Sequence, residues 1–284
     1  MTRLLALIDG SVYSRSVCDH AAWAAERTSA SVELLQVLGR RNVSSAPTDL
    51  SGSINVDAKE HLLSELAALD QEQARLSQKR ARIVLEEART RLLAAGVKDV
   101  TARLRHGDLI ENLQEAEADV DLVIVGKRGE GADFAKLHLG SNLERVVRAC
   151  HKPVLVTSRA FRPINSLLIA FDGGESAMKA VRHIANGSLF PGTVCHLLTV
   201  GNRTDEAERN LANAAATLRE AGYDVEAGIR PGQADTVITS KVEIEKIDLL
   251  VMGAYGHSRI RSLIIGSTTS EMIRSCLIPV MLFR

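Results

Sequence analysis

The residues with the clearest chemical potential lie near the C-terminus, in DLLVMGAYGHSRIRSLIIGSTTSEMIR at 248–274. Gly253 and Gly256 are separated by two residues, nine more lead to Gly266, and Ser267 and Thr268 follow directly. Glycine lets backbone approach a ligand closely, and the first turn of a helix offers unpaired N–H groups and a partial positive charge. An apolar strand, a glycine loop and Gly-Ser-Thr at a helix start are together what a phosphate cradle needs. Plain turns and helix caps use the same residue types, so one copy leaves both readings open.

A second copy exists. DLVIVG (121–126) matches DLLVMG (248–253), GSN (140–142) matches GST (266–268), and ACHKPVLV (149–156) matches SCLIPVML (275–282). Earlier in each series, RLLALI before Asp9-Gly10-Ser11 matches SLLIAF before Asp172-Gly173-Gly174. The offset is 163 at the aspartates (172 − 9) but 127 at the first glycine (253 − 126). The first half therefore carries about 36 extra residues, running from Arg40 into a long helical pattern and spanning roughly 40–75. Two units follow, 1–160 and 164–284.

The elements that must position these residues alternate regularly. Apolar runs at 3–9, 31–38, 100–104, 121–125 and 153–157 read as strands, as do 166–171, 193–200, 224–229, 248–252 and 279–283. Helical patterns at 14–28, 57–95, 108–118 and 140–149 lie between the first five, and 176–186, 205–221, 233–246 and 266–276 between the last five. Strands that are apolar on both faces and alternate with helices predict parallel α/β sheets, doubly wound, with strand order 3-2-1-4-5 in each unit. That order puts strands one and four side by side. Asp9 then faces the Gly126–Gly129 loop, and Asp172 the Gly253–Gly256 loop, across a cleft at the C-terminal strand ends. An aspartate after a strand also commonly makes an Asx-turn, which is the plain alternative for both.

Composition narrows the function classes. The chain has 284 residues, with Lys+Arg and Asp+Glu balanced at 35 each, which argues against a nucleic-acid binder. No apolar run approaches a membrane span, and MTRLLALIDGS runs straight into a strand pattern rather than a signal sequence. Cys18, Cys150, Cys195 and Cys276 are scattered without metal-ligand spacing and read as small buried hydrophobes in a reducing compartment. A soluble cytosolic protein without a metal site is expected. The helix at 57–95 would span nearly 60 Å, overshoots one domain and is expected to break near Asp70. It packs on its own domain or offers a homodimer or protein-partner surface.

The spacing Gly253, Gly256, Gly266, Ser267, with Asp-Gly after the first strand, resembles the universal stress protein family in its tandem two-domain form. The resemblance covers nearly the whole chain apart from 40–75. It implies an adenine-nucleotide alpha hydrolase-like fold, fifth strands that pair to join the halves, and ATP as ligand, with or without magnesium. Carried over, Asp172 contacts the ribose, Val200 lies near the adenine, and Gly253, Gly256, Gly266, Ser267 and Thr268 hold the phosphates. The first-half counterparts are Asp9, Val37, Gly126, Gly129, Gly140, Ser141 and Asn142. That half departs from the pattern, with ten residues between Gly129 and Gly140 and Asn142 where Thr268 stands. Lys127, Arg128, Lys136 and His138 either offer charge to phosphate there or form a solvated loop face.

Enzymatic readings have less to stand on. The segment from Asp172 to Ser176 (DGGES) resembles the pyrophosphate loop SGGxDS of adenylating enzymes, with Asp for the first Ser and Glu for the Asp. A P-loop GxxxxGK[ST] is absent, and His257 in the second loop has no evident catalytic partner; His257 and Arg259 either face phosphate or are simply solvated. No catalytic residue is assigned. The expectation is an ATP-binding stress-response sensor or regulator, with slow ATP hydrolysis or adenylation, or a scaffold that binds no nucleotide, as the alternatives.

Overall fold

A computed structural model describes residues 2–39, 56–129, 141–254 and 266–284. In the first half β1 (Arg3–Leu7), α1 (Ser14–Thr28), β2 (Ser31–Leu38), α2 (Val56–Ala94) and β3 (Val100–His106) lead to α3 (Leu109–Glu117), β4 (Leu122–Gly126), α4 (Ser141–Ala149) and β5 (Val154–Thr157). The second half repeats the series as β6 (Ser166–Ala170), α5 (Glu175–Asn186), β7 (Val194–Val200), α6 (Asp205–Glu220) and β8 (Val225–Arg230). It ends with α7 (Ala234–Ile244), β9 (Leu249–Gly253), α8 (Ser267–Ser275) and β10 (Val280–Phe283).

The strands form one ten-stranded sheet in the order β3-β2-β1-β4-β5-β10-β9-β6-β7-β8. Each half keeps the 3-2-1-4-5 order with parallel pairing inside it. The join is antiparallel: Val154, Leu155 and Val156 face Leu282, Met281 and Val280. The pairing of fifth strands that the family resemblance implied is thus present, and it turns two five-stranded units into one sheet.

Alternation along the strands divides the core into two layers, one on each sheet face. Leu4, Ala6, Leu155, Leu167, Ile169 and Met281 point to the layer under α1, α2, α5 and α6. Leu5, Val154, Val156, Leu168, Leu250 and Leu282 point to the layer under α3, α4, α7 and α8. Both layers run without a break across the β5–β10 seam, which is why even the two joining strands are buried on both faces.

Side chains reinforce the seam. Lys127 Nζ donates to the carbonyl of Cys276 at the end of α8 (2.6 Å), and Arg284 donates to the carbonyl of Arg148 in the last turn of α4 (2.7 Å). Cations at helix C-termini meet unpaired carbonyls and the negative end of the dipole. On the other face, Arg27 of α1 donates to the carbonyls of Leu189 (2.6 Å) and Pro191 (2.5 Å). Trp23 packs between Phe161 and Phe190 there.

One departure from the sequence reading concerns the first half. Helix α2 is continuous through Asp70 for 39 residues. Its C-terminal part carries an apolar face (Ala81, Leu85, Ala88, Leu92) that is buried in the core, so the helix is anchored there while its exposed N-terminal part runs on past the domain without a break. A bidentate pair between Arg91 and Asp19 (2.7 and 2.9 Å) clamps this part to α1. Residues 39–56, polar and carrying Ser, Pro and Gly, read from sequence as a flexible loop, and 40–55 lie outside the described residues.

The buried histidines make the fold sensitive to acid. His20 is 0% exposed, lies between Ser16 and Phe161, and donates from Nδ1 to the Ser16 carbonyl (2.7 Å). Burial pushes its pKa below the usual histidine value, and burial does the same to His183. Unfolded chains take up protons as pH falls below about 6.5 while the folded protein resists them, so stability is full above that value and declines below it. Urea titrations at pH 7.5 and 5.5 are expected to show a lower midpoint at 5.5. The difference should shrink in His20→Gln, and equal wild-type midpoints would contradict this account.

Candidate functional site

Both sequence-identified aspartates sit where the crossover order opens the sheet. Asp172 follows β6, whose Ala170 pairs with Met252 of β9, so the carboxylate lies beside the end of β9 at Gly253. Asp9 follows β1, which pairs with β4 in the same way. Both make the Asx-turn that was the plain alternative. Asp172 Oδ1 accepts from the Gly174 N–H (2.8 Å), and Asp9 Oδ1 from the Ser11 N–H (2.9 Å) and the Ser14 hydroxyl (3.1 Å). The turn fixes the carboxylate at the strand end. The residue after each, Gly10 or Gly173, adopts φ of +76° or +80°, a conformation that costs other residues strain.

In the second half the chain returns from its loop to β9. Gly266 donates its N–H to the carbonyl of Ala254 (3.2 Å), and the buried Thr269 hydroxyl donates to the carbonyl of Gly253 (3.1 Å). Gly266 is the N-cap of α8 and, as a glycine, brings no capping side chain to that end. The hydroxyls of Ser267 and Thr268 therefore do not cap the helix, contrary to one sequence-based role for them. Ser267 is exposed and Thr268 half-buried, and the opening N–H groups of α8 lie close to the end of β9. Val200, the last residue of β7, is half-buried. The strand carrying it pairs with β6 from the side opposite β9.

The first half brings its loops together differently. A Cβ placed on Gly126 would lie 2.7 Å from the Cβ of Tyr13, and one on Gly129 would lie 3.0 Å from Asp9 Oδ2. The Ser11 hydroxyl donates to the carbonyl of Arg128 (3.4 Å). The loop after β1 thus lies directly on the loop after β4, with Tyr13 against Gly126 and the Asp9 carboxylate against Gly129. At the same offset the second half has Ser176 for Tyr13, and it has Thr269 where the first half has the buried Leu143. Sequence reading missed Tyr13 and Thr269, although comparing the halves position by position would have exposed both.

Lys127 is half-buried and turned away from its own loop. It reaches across to Cys276, and burial pulls its pKa down to about 8. Val37 is half-buried on β2 opposite Arg105. Asn142 is exposed in the first turn of α4, and Ser141 begins that helix. Gly140, Gly256, Lys136, His138, His257 and Arg259 lie outside the described residues.

The cysteines pack in the interior. All four are buried, and burial raises Cys150 to about 12. Cys150 also serves a loop clamp that the sequence did not suggest. Glu117, 6% exposed, accepts from the N–H groups of His151 and Lys152 (the latter at 2.7 Å) and from Cys150 Sγ (3.3 Å).

This fold, a doubly wound sheet with aspartate and glycine loops on opposite lips of each crossover, is shared with proteins of one family. The universal stress protein family model matches residues 1–158 and 198–284. Universal stress protein Slr1230 of Synechocystis is 39% identical over the full length of both chains. The chain belongs to the universal stress protein family, in its tandem form. A universal stress protein of Archaeoglobus fulgidus has the same fold, with a TM-score of 0.73 over 99% of this chain and 96% of that one at 21% identity. A Pseudomonas aeruginosa protein described as a putative universal stress protein follows at 0.61, covering 100% and 93% at 17% identity.

The contact between the first-half loops is testable by one methyl group. Gly126→Ala sets a Cβ against the Tyr13 Cβ, an atom next to backbone that cannot swing away, and is expected to cost about 1–3 kcal/mol. Pairing it with Tyr13→Gly should recover part of that loss. Denaturant unfolding of the single and double variants measures both, and an unperturbed Gly126→Ala would show that the loops do not touch.

Proposed function

We propose that this protein binds an adenine nucleotide, ATP, in the cleft between β6 and β9 of the second half, and acts as a nucleotide-dependent sensor or regulator of the stress response in the cytoplasm. The reading treats 164–284 as the binding unit and 1–160 as its structural partner. The observation that carries it is the N-terminus of α8. A glycine caps it, so the cap residue brings no side-chain acceptor to its first N–H groups, and two hydrogen bonds hold it against the end of β9, the strand that pairs with the one leading to Asp172. Unpaired helix N–H groups with no Cβ in front of them favour a phosphate chain, because its oxygens supply the missing acceptors and its charge meets the positive dipole end.

The other contacts follow from that placement. Asp172 is exposed at the strand end, within reach of a ribose hydroxyl as an acceptor. Val200 gives an apolar surface for the base. Gly253, Gly256, Gly266, Ser267 and Thr268 line the phosphates, with magnesium as an accompanying ion where the phosphate chain recruits it. The first half, where Tyr13 lies against Gly126, is the weaker candidate for Asp9, Val37, Gly126, Gly129, Gly140, Ser141 and Asn142. Among the described residues no helix is long and apolar enough to cross a membrane, in keeping with a cytoplasmic role.

Calorimetric titration of ATP and AMP into nucleotide-free protein, with and without magnesium, tests the reading. One site per chain is expected. Gly266→Val should abolish it by placing a side chain in the phosphate path. Asp172→Ala should weaken it by about 10–100-fold, the value of a hydrogen bond to a charged group. Undiminished affinity in a folded Gly266→Val protein would refute the cradle.

A further inference from the structure

Helix α2 has two apolar faces. One is the buried face of Ala81, Leu85, Ala88 and Leu92. The other consists of Leu62, Leu69, Leu76 and Ile83, spaced seven residues apart, with Leu66 falling between the first two. These side chains are exposed by 38, 59, 55, 52 and 40% respectively. Ile83 and Leu85 are neighbouring positions on the two faces, about 200° apart around the helix axis at ~100° per residue. The heptad stripe therefore points away from the chain's own core. Residues 61–76 are exposed on every side, so this half of the helix projects from the body.

A seven-residue repeat of Leu and Ile is the seam of a coiled coil, with these residues at d and Leu66, Gln73 and Arg80 at a. We propose that α2 pairs with α2 of a second copy of this chain as an antiparallel coiled coil. Charge decides the orientation. A parallel pair would set Arg80 against Arg80 and Glu65 against Asp70 of the partner helix, both repulsive. In the antiparallel register with Gln73 facing Leu76, Leu66 meets Ile83 and Arg80 meets Leu69, so no charge opposes itself in the seam. The flanking positions then bring Glu72 of each helix beside Lys79 of the other, two symmetric ion pairs that offset the two Glu65–Glu86 contacts of the same register, so the relief of the Arg80–Arg80 opposition in the seam is what favours this orientation. In the single chain Glu72 leans towards Arg75 of its own helix at 3.7 Å, an exposed contact that a dimer can exchange. The antiparallel arrangement also places the two globular bodies at opposite ends of the paired helices. This inference rests on α2 alone and is independent of the nucleotide reading.

Equilibrium sedimentation of the full chain is expected to give a dimer at micromolar concentration. Leu69→Glu with Leu76→Glu should weaken it by at least about tenfold while leaving the unfolding midpoint near that of the wild type, because neither side chain packs in the core. Orientation is read by cysteine cross-linking. Gln73→Cys mixed with Leu76→Cys should form a disulfide-linked heterodimer, whereas Gln73→Cys alone should not link to itself. Charge supplies a second check: Lys79→Glu should weaken the dimer, and adding Glu72→Lys should restore it. A wild-type monomer at all concentrations would overturn the proposal and leave the stripe to the helix of another protein. Self-linking of Gln73→Cys would overturn the antiparallel arrangement.

Discussion

Everything in this molecule depends on the antiparallel pairing of β5 with β10. Each of these strands is short, apolar on both faces, and would be an exposed edge in an isolated half. Left open, such an edge presents unpaired N–H and carbonyl groups next to bare hydrophobic surface, the arrangement most prone to aggregation. Pairing three residues from each strand satisfies both edges at once and makes both core layers continuous across the seam. The remaining edges, β3 and β8, are the more polar strands, and their exposed positions suit the ends of a sheet. Lys127 and Arg284 add reciprocal contacts to the helix termini of the opposite half, so the seam is closed by side chains as well as backbone.

Within this shared frame the halves have diverged at their crossovers. The backbone of the aspartate turn is nearly the same in each, down to the left-handed glycine after it. What differs is what leans into the cleft. Tyr13 presses on Gly126 in the first half, and the Asp9 carboxylate faces Gly129. In the second half smaller residues stand at the matching places, and Thr269 ties α8 to β9 by a hydrogen bond where Leu143 can only pack. Two similar sequences on one scaffold thus produce one crossover where Tyr13 lies on Gly126 and one where a glycine caps a helix tied to the strand end.

The long helix connects these themes. Its buried face lies over the first-half sheet, and Val84 approaches Gly10 so closely that a Cβ there would sit 3.2 Å away. Gly10 follows Asp9 in the turn that meets the Gly126–Gly129 loop, so the helix, the turn and the loop form one packed unit. The opposite face of the same helix carries the exposed heptad. Contacts made along α2 therefore act on an element that already touches the first-half crossover, whereas the second-half crossover lies beyond the seam.

The sequence by itself determined the element order, the repeat, the strand order within each half and the positions of Asp9, Asp172, Gly253 and Gly266. These follow from local periodicity and from residue types that few backbone conformations require, so they are legible without long-range information. It also carried the heptad of α2, although not which of the helix's two faces would meet the core. Only the tertiary structure decided that Tyr13 lies on Gly126, that Lys127 crosses to Cys276 instead of serving its own loop, and that Glu117 clamps the turn before β5. It alone decided that α2 runs unbroken past Asp70. Each of these depends on which distant segments become neighbours, and spacing along a chain does not encode the direction in which one side chain points towards another. The β5–β10 register belongs to the same class, because backbone hydrogen-bonding groups are identical in every strand. Their partners are chosen by the burial of whole faces, which is settled only when the sheet is complete.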